Sequence, residues 1–305
     1  MPEGQRSGAG AVDPLLRVHT TYNRLGGSVD MLSFVGLGLY DERSVTVRGR
    51  AAIREADRVF AEFYTSRLTG TTVAALEATH NVDIEVRDRA GVERDPVPVL
   101  DAAADGDAVF LTGGDPMVST THADLRLRAH ERGVDTRVIH GTTAAAAAAS
   151  LTGLQNYRFG KATTLPFESS HGGEGVPDSV LGTLTNNRQH GLHTLVYLDI
   201  DRDKGHSPGN GADRGRGDGN DAEDRYMTGD HAAGLLADAG LSGAGVVVGQ
   251  AGSEDPTVRA DELATLGDGD FGPPLHLLVV PGELHPLERE ALAAFGGLPA
   301  DTDDG

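Results

Sequence analysis

The chain has no cysteine among its 305 residues, which excludes a disulfide framework. No apolar run approaches the length of a membrane-spanning helix, so an integral helical membrane protein is not expected. The first thirty residues lack the basic start, apolar stretch and cleavage site of a secretory signal, and the expected compartment is the cytoplasm. Positive charge is scarce: 26 Lys and Arg stand against 46 Asp and Glu, for a formal net charge of −20. Only Lys161 and Lys204 are lysines. Direct nucleic-acid binding needs a basic footprint, and none is visible. Such an acidic, lysine-poor composition fits adaptation to a salt-rich cytoplasm, where charges are screened within about 3 Å at about 1 M salt. A basic partner drawn to an acidic face is the other reading.

Familiar catalytic signatures are missing as well. No nucleophile elbow, P-loop or kinase set occurs. The twelve histidines do not pair at metal-ligand spacing, so no metal is expected. Gly36-Leu-Gly-Leu39 follows a strand and precedes a helix, and Glu62 ends the next strand where a ribose could be gripped. The dinucleotide fingerprint nevertheless fails at its last glycine, where Asp41 stands. A glycine turn with a capping Asp41 explains that stretch equally well.

What the sequence does hold is alternation. Apolar runs at Leu32–Val35, Arg58–Phe63, Val82–Val86, Ala108–Leu111 and Thr136–His140 read as strands. Helical patterns over Ser44–Ala56, Val73–Ala78, Pro98–Ala104 and Thr121–Arg132 separate them. This order predicts an α/β fold with mostly parallel sheets. Residues 140–305 continue with the alanine-rich helix Thr142–Ser150 and strands at Ala162–Leu165, His193–Asp199, Gly245–Gly249 and His276–Val280. Helices are expected at Ala232–Ala239, Asp261–Leu266 and Pro286–Ala294. The expected division is a disordered arm over 1–30, an α/β domain over 31–139 and a second over 140–305. A Gly/Asp/Arg-rich insertion interrupts the second at about 201–224.

The stretch Asp107–Val118 is the centre of this arrangement. Its strand is broken sharply by Thr112-Gly-Gly-Asp-Pro116, which leaves Asp115 at the carboxyl end, where open α/β sheets bind ligands. Asp115 can be read as a helix cap or as a ligand contact. His276 likewise is either a satisfied histidine at a strand edge or part of a site.

Several segments together resemble the diphthine synthases, the archaeal and eukaryotic branch of the tetrapyrrole-methylase-like methyltransferases. They include Phe34-Val-Gly-Leu-Gly-Leu-Tyr-Asp-Glu-Arg43, Val59-Phe-Ala-Glu-Phe-Tyr-Thr-Ser66 and Leu111-Thr-Gly-Gly-Asp-Pro116 with Thr120-Thr-His-Ala123. Farther on come Phe159-Gly-Lys161, Gly191-Leu-His-Thr194, Leu198-Asp-Ile200, Ala251-Gly-Ser253 and Val280-Pro-Gly282. Ala61–Ser66 and Gly191–Thr194 are the most particular to that branch. The chain departs from its pattern at 1–30, at about 201–224, at His140-Gly-Thr-Thr-Ala144 and at the extra Leu275.

The resemblance implies a two-domain, tetrapyrrole-methylase-like enzyme that binds S-adenosylmethionine in the interdomain cleft. It further implies methylation of the amino group of a 3-amino-3-carboxypropyl side chain on a histidine of translation elongation factor 2, giving diphthine, and a homodimer. Carried over by position, the cofactor contacts are Leu39, Asp115, Val118, Thr143, Ala144, Leu198, Ala251 and His276. No catalytic residue is assigned. The alternatives are a methylase of a tetrapyrrole precursor and a non-catalytic nucleotide-binding module.

Overall fold

The computed structural model describes residues 30–173, 175–201, 225–300 and 302. The arm expected over 1–30, Asp30 apart, and the insertion expected over 201–224, Asp201 apart, lie outside the described residues.

The first half runs β1 (Met31–Gly36), α1 (Val47–Glu55), β2 (Arg58–Glu62), α2 (Val73–His80), β3 (Ile84–Val86), α3 (Val97–Asp105), β4 (Asp107–Thr112), α4 (His122–Glu131) and β5 (Asp135–Ile139). Its five strands form one sheet in the order β3-β2-β4-β1-β5, and every pairing is parallel. Side chains alternate across the pleat, so β1 and β4 feed two cores. Leu32, Phe34, Phe60 and Phe110 pack on one face, and Val35, Ala61 and Leu111 on the other. Phe34, Phe60 and Phe110 are fully buried, and each such ring stabilises the fold by roughly 1.5–3 kcal/mol. Threonines start two of the helices: Thr46 accepts from the Gly49 N–H at 3.0 Å, and Thr72 from Ala75 N–H at 3.2 Å.

The second half begins with α5 (Ala144–Thr152) and continues through β6 (Thr163–Leu165), α6 (Glu168–His171), α7 (Asp178–Gln189), β7 (Thr194–Leu198), and the short pair β8 (Ile200–Asp201) and β9 (Arg225–Tyr226). It ends with α8 (Gly229–Asp238), β10 (Ala244–Gly249), β11 (Thr257–Glu262), α9 (Leu263–Gly267), β12 (His276–Val280) and α10 (Pro286–Gly296). The sheet order is β11-β10-β12-β7-β6.

Here the strand directions depart from the expectation. Only β6 and β7 are parallel; β7–β12, β12–β10 and β10–β11 are antiparallel. β11, absent from the sequence reading, supplies the difference, because it returns directly from β10 through a short connection. Its segment Thr257-Val-Arg-Ala-Asp-Glu262 lies at the sheet edge and carries charges that mask a strand pattern. The α/β class is unchanged, since helices still cover the buried β10 and β12.

In the first sheet the chain leaves β1 toward β2 and leaves β4 toward β5. Because β2 lies beyond β4 and β5 lies beyond β1, the chain paths leaving these two adjacent strands cross at their carboxyl ends, the end at which open α/β sheets bind ligands. There Gly38 and Gly114 pair through their backbones, with N–H···O distances of 3.2 and 2.7 Å. Both have positive φ, 74° and 72°. A Cβ on Gly36 would sit 2.6 Å from the Gly141 nitrogen, and one on Gly141 would overlap the Gly114 carbonyl. Three loops thus cross backbone to backbone, which is the reason for Gly36-Leu-Gly38 and removes the need for a dinucleotide reading of it.

Candidate functional site

A cavity of about 570 Å³ opens over this crossing, between the two halves. One wall comes from the loops after β1, β2, β4 and β5, and the other from the ends of β7 and β10 and the start of β12. Leu39, Asp115, Val118, Thr143, Ala144, Leu198, Ala251 and His276 all line it. They come from six different loops or strand ends, so their convergence is a product of the fold and not of sequence proximity.

Two contacts fix the walls together. Gly252 sits so closely on Leu39 that a Cβ there would meet the Leu39 Cβ at 2.6 Å. Ser119 donates its hydroxyl to Tyr197 Oη at 3.2 Å.

Asp115 is 4% exposed and works first as a loop tie. Its Oδ1 accepts from Met117 N–H at 2.9 Å, and its Oδ2 lies 2.7 Å from His140 Nδ1 and 3.4 Å from Gly141 N. A carboxylate offers about four lone-pair sites, so capacity remains on the cavity side. Asp115 is therefore a turn-former and a cavity residue together, not one or the other. Thr143 is committed in the same way: its hydroxyl caps α5 by accepting from Ala146 N–H at 3.2 Å.

His276 is buried, and its Nδ1 accepts from Gly229 N–H at 2.9 Å. The proton of the neutral ring is then on Nε2. Burial lowers its pKa, against the opposing pull of the Pro273 carbonyl and of Asp230, so the ring is neutral at pH 7. Asp199, on the same wall as His276, uses one oxygen to accept from Phe167 N–H and Ser170 Oγ, at 3.0 and 2.9 Å.

Some expectations place elsewhere. Glu62 is fully buried and turned away from the cavity. It accepts from Tyr64 N–H, Thr65 N–H and the Thr65 hydroxyl, and lies 3.4 Å from His122 Nε2. It cannot grip a ribose from there. The segment Gly191–Thr194 also lies off the cavity: its His193 belongs to a buried cluster with Glu288 and Arg158 at the far end of β7. Conversely, Tyr40, Tyr64, Arg67, Arg89, Tyr197 and Asp199 line the cavity unforeseen as site residues. Tyr64 stands in the motif Ala61–Ser66, which offered a signal; Arg89 follows a three-residue strand and offered none.

Among the described residues, no group of three or more His, Asp and Glu is placed to hold a metal ion, and no helix is long and apolar enough to cross a membrane.

Residues 31–266 match the family of tetrapyrrole (corrin/porphyrin) methylases. A diphthine synthase of Halobacterium salinarum is 66% identical over 273 residues, covering 89% of this chain and all of that protein. One from Natronomonas pharaonis is 64% identical, covering 88% and 97%. A crystal structure of diphthine synthase superposes with a TM-score of 0.76 at 34% identity, covering 89% of this chain and 98% of that one. The chain belongs to the tetrapyrrole methylase family and, within it, to the diphthine synthases, the methyltransferases of diphthamide biosynthesis.

Proposed function

We propose that the cavity holds S-adenosylmethionine and that the acceptor is the amino group of the 3-amino-3-carboxypropyl side chain on a histidine of elongation factor 2. The observation that carries this reading is the convergence of all eight expected contacts on one cavity, from both of its walls. When bound, the cofactor supplies a methyl group on a sulfonium, and transfer is an in-line displacement that chiefly needs positioning.

The residues fit that group. Leu39, Val118, Ala144, Leu198 and Ala251 offer apolar or small surface for its flat and aliphatic parts, and Asp115 offers a carboxylate with spare acceptor capacity. Gly114 leaves open space where a Cβ would stand. His276 is neutral, so it adds no positive charge next to a cationic ligand. The Tyr64 hydroxyl, its pKa pushed up to about 12 by burial and by Glu62 and Glu93, stays protonated and adds no charge to the cavity wall.

The reading extends to a cytoplasmic homodimer and to a domain boundary between β5 and α5, with domains over 31–139 and 140–305. Incubation with labelled S-adenosylmethionine and elongation factor 2 carrying the unmethylated side chain tests the central claim. Label on the modified histidine is expected; cofactor binding without transfer to that protein would overturn the acceptor assignment.

A further inference from the structure

The eight expected cofactor contacts occupy only part of the cavity wall. They come from the loops after β1, β4 and β5 and from the second half. The wall formed by the loops after β2 and β3 is taken by Tyr64, Ser66, Arg67 and Arg89, and the last three have no part in the cofactor reading. This wall is continuous with the other, because Ser66 lies 3.2 Å from where a Gly113 Cβ would be.

Its chemistry is distinct. Arg67 and Arg89 bring two guanidinium groups to one side of a cavity in a chain of net charge −20. The Arg89 guanidinium stands 5.3 Å from the centre of the Tyr64 ring, an arrangement that orients a planar cation. Tyr64 Oη is shut off from water and has no partner in good hydrogen-bond geometry. Thr121, beside it, already gives its own hydroxyl to Glu93 at 3.0 Å. Glu93 also lies 3.7 Å from Arg89 Nε, a long and exposed contact that holds the guanidinium only weakly. Two guanidiniums offer only donors, in planar forks, and a planar anion is what such forks bind.

We propose that Arg89, with Arg67, binds the carboxylate of the acceptor side chain and so fixes its amine for transfer. The inference rests on the proposed function, since it needs an acceptor that carries a carboxylate beside the amine. It makes the enzyme selective for an amino-acid-like acceptor over a plain amine.

The test uses elongation factor 2 bearing the unmethylated side chain, and the same protein with that carboxylate converted to an amide. For the carboxylate acceptor, Arg89→Ala should raise KM about ten- to a hundredfold, the worth of one charge-assisted bond, with cofactor affinity unchanged by calorimetry. Arg89→Lys should recover part of the loss, and Arg67→Ala should show a smaller rise of the same kind. The amide acceptor should raise KM in the wild-type enzyme and then be indifferent to Arg89→Ala. Unchanged KM for the carboxylate acceptor, or an equal further loss with the amide, would overturn the proposal. A wild-type enzyme that transfers no methyl group to the carboxylate acceptor would instead overturn the function on which it rests.

Discussion

Two carboxylate–imidazole pairs in this molecule are alike in distance and opposite in setting. Asp115 and His140 meet at 2.7 Å, with the aspartate buried and the imidazole side chain 78% exposed. Glu288 and His193 meet at 3.0 Å, and both are fully buried. Glu288 stands in the first turn of α10, where Pro286 starts the helix and the His285 N–H is capped by Glu288 Oε2 at 2.9 Å. Its other contacts are Gln155 N–H at 2.9 Å and Arg158 Nη1 at 2.8 Å. Arg158 in turn donates to the carbonyls of Gly191 and Glu283. Every lone pair is used, so this pair is a staple that ties α10 to β7. The first pair leaves one acceptor site of Asp115 unused beside a cavity, and that difference, not the residue types, sets it apart from a purely structural pair.

The largest effect should come from breaking the staple. Glu288→Leu leaves His193 Nε2 and the Arg158 guanidinium without their carboxylate, and loss of one partner of a buried pair costs about 3–5 kcal/mol. Denaturant melts in molar salt should record that loss, while S-adenosylmethionine affinity of the remaining folded protein should be unchanged.

Asp115→Asn should show the reverse pattern. Asparagine keeps an oxygen for Met117 N–H, so stability should fall by no more than about 1 kcal/mol. Cofactor affinity should fall about ten- to a hundredfold through the lost charge. Calorimetric titration separates the outcomes, and unchanged affinity would leave Asp115 as a loop tie alone.

Acid should reach the buried groups first through their histidines. Burial lowers the pKa of His80, His122, His193 and His276. Such groups bind protons more readily when unfolded, so stability is full above about pH 6.5 and declines as pH falls below it. Glu288 adds a second loss at lower pH. Burial pushes its carboxyl up, but the N–H groups of Gln155 and His285 and the His193 ring outweigh it, and the result lies below its ordinary value. Its contribution is present above about pH 4.5 and goes as pH drops through the folded value. Melts at stepped pH and constant salt should show both, and a flat profile from pH 7 to pH 5 would contradict the first.

His140→Ala should do least. The ring is exposed and its pair with Asp115 is open to solvent on one side, so the expected cost is about 0–1 kcal/mol, shrinking further in molar salt. A loss above about 2 kcal/mol would place this pair with the staple.

The sequence made the first half legible because continuous apolar strands alternating with helices have few other folds open to them. Thr112–Pro116 announced the ligand-binding end for the same reason: glycine pairs and a proline at a strand terminus have few other uses. The second half was harder. Gly182, Asn186 and Asn187 dilute the helical signal of α7, and Arg259 breaks the strand signal of β11. The staple was invisible, since His193 and Glu288 are 95 positions apart and only the fold brings them together. Arg89 was hidden for the opposite reason, as one arginine in a polar loop looks like any other. The motif Gly191–Thr194 marked the family well, yet its histidine holds a helix in place at a distance from the cavity.

The crossing of Gly36, Gly114 and Gly141 bears on any attempt to retarget this scaffold. At Gly36 and Gly141 main-chain atoms of neighbouring loops already occupy the volume a side chain would need, and at Gly114 the backbone φ of 72° favours glycine. Randomising those three codons would yield chiefly misassembled protein, whatever the intended substrate. Positions 64–67, 89 and 119–121 border the same cavity with side chains that the crossing does not constrain. A library aimed at a new acceptor therefore belongs on that rim, with the glycines held as an invariant floor.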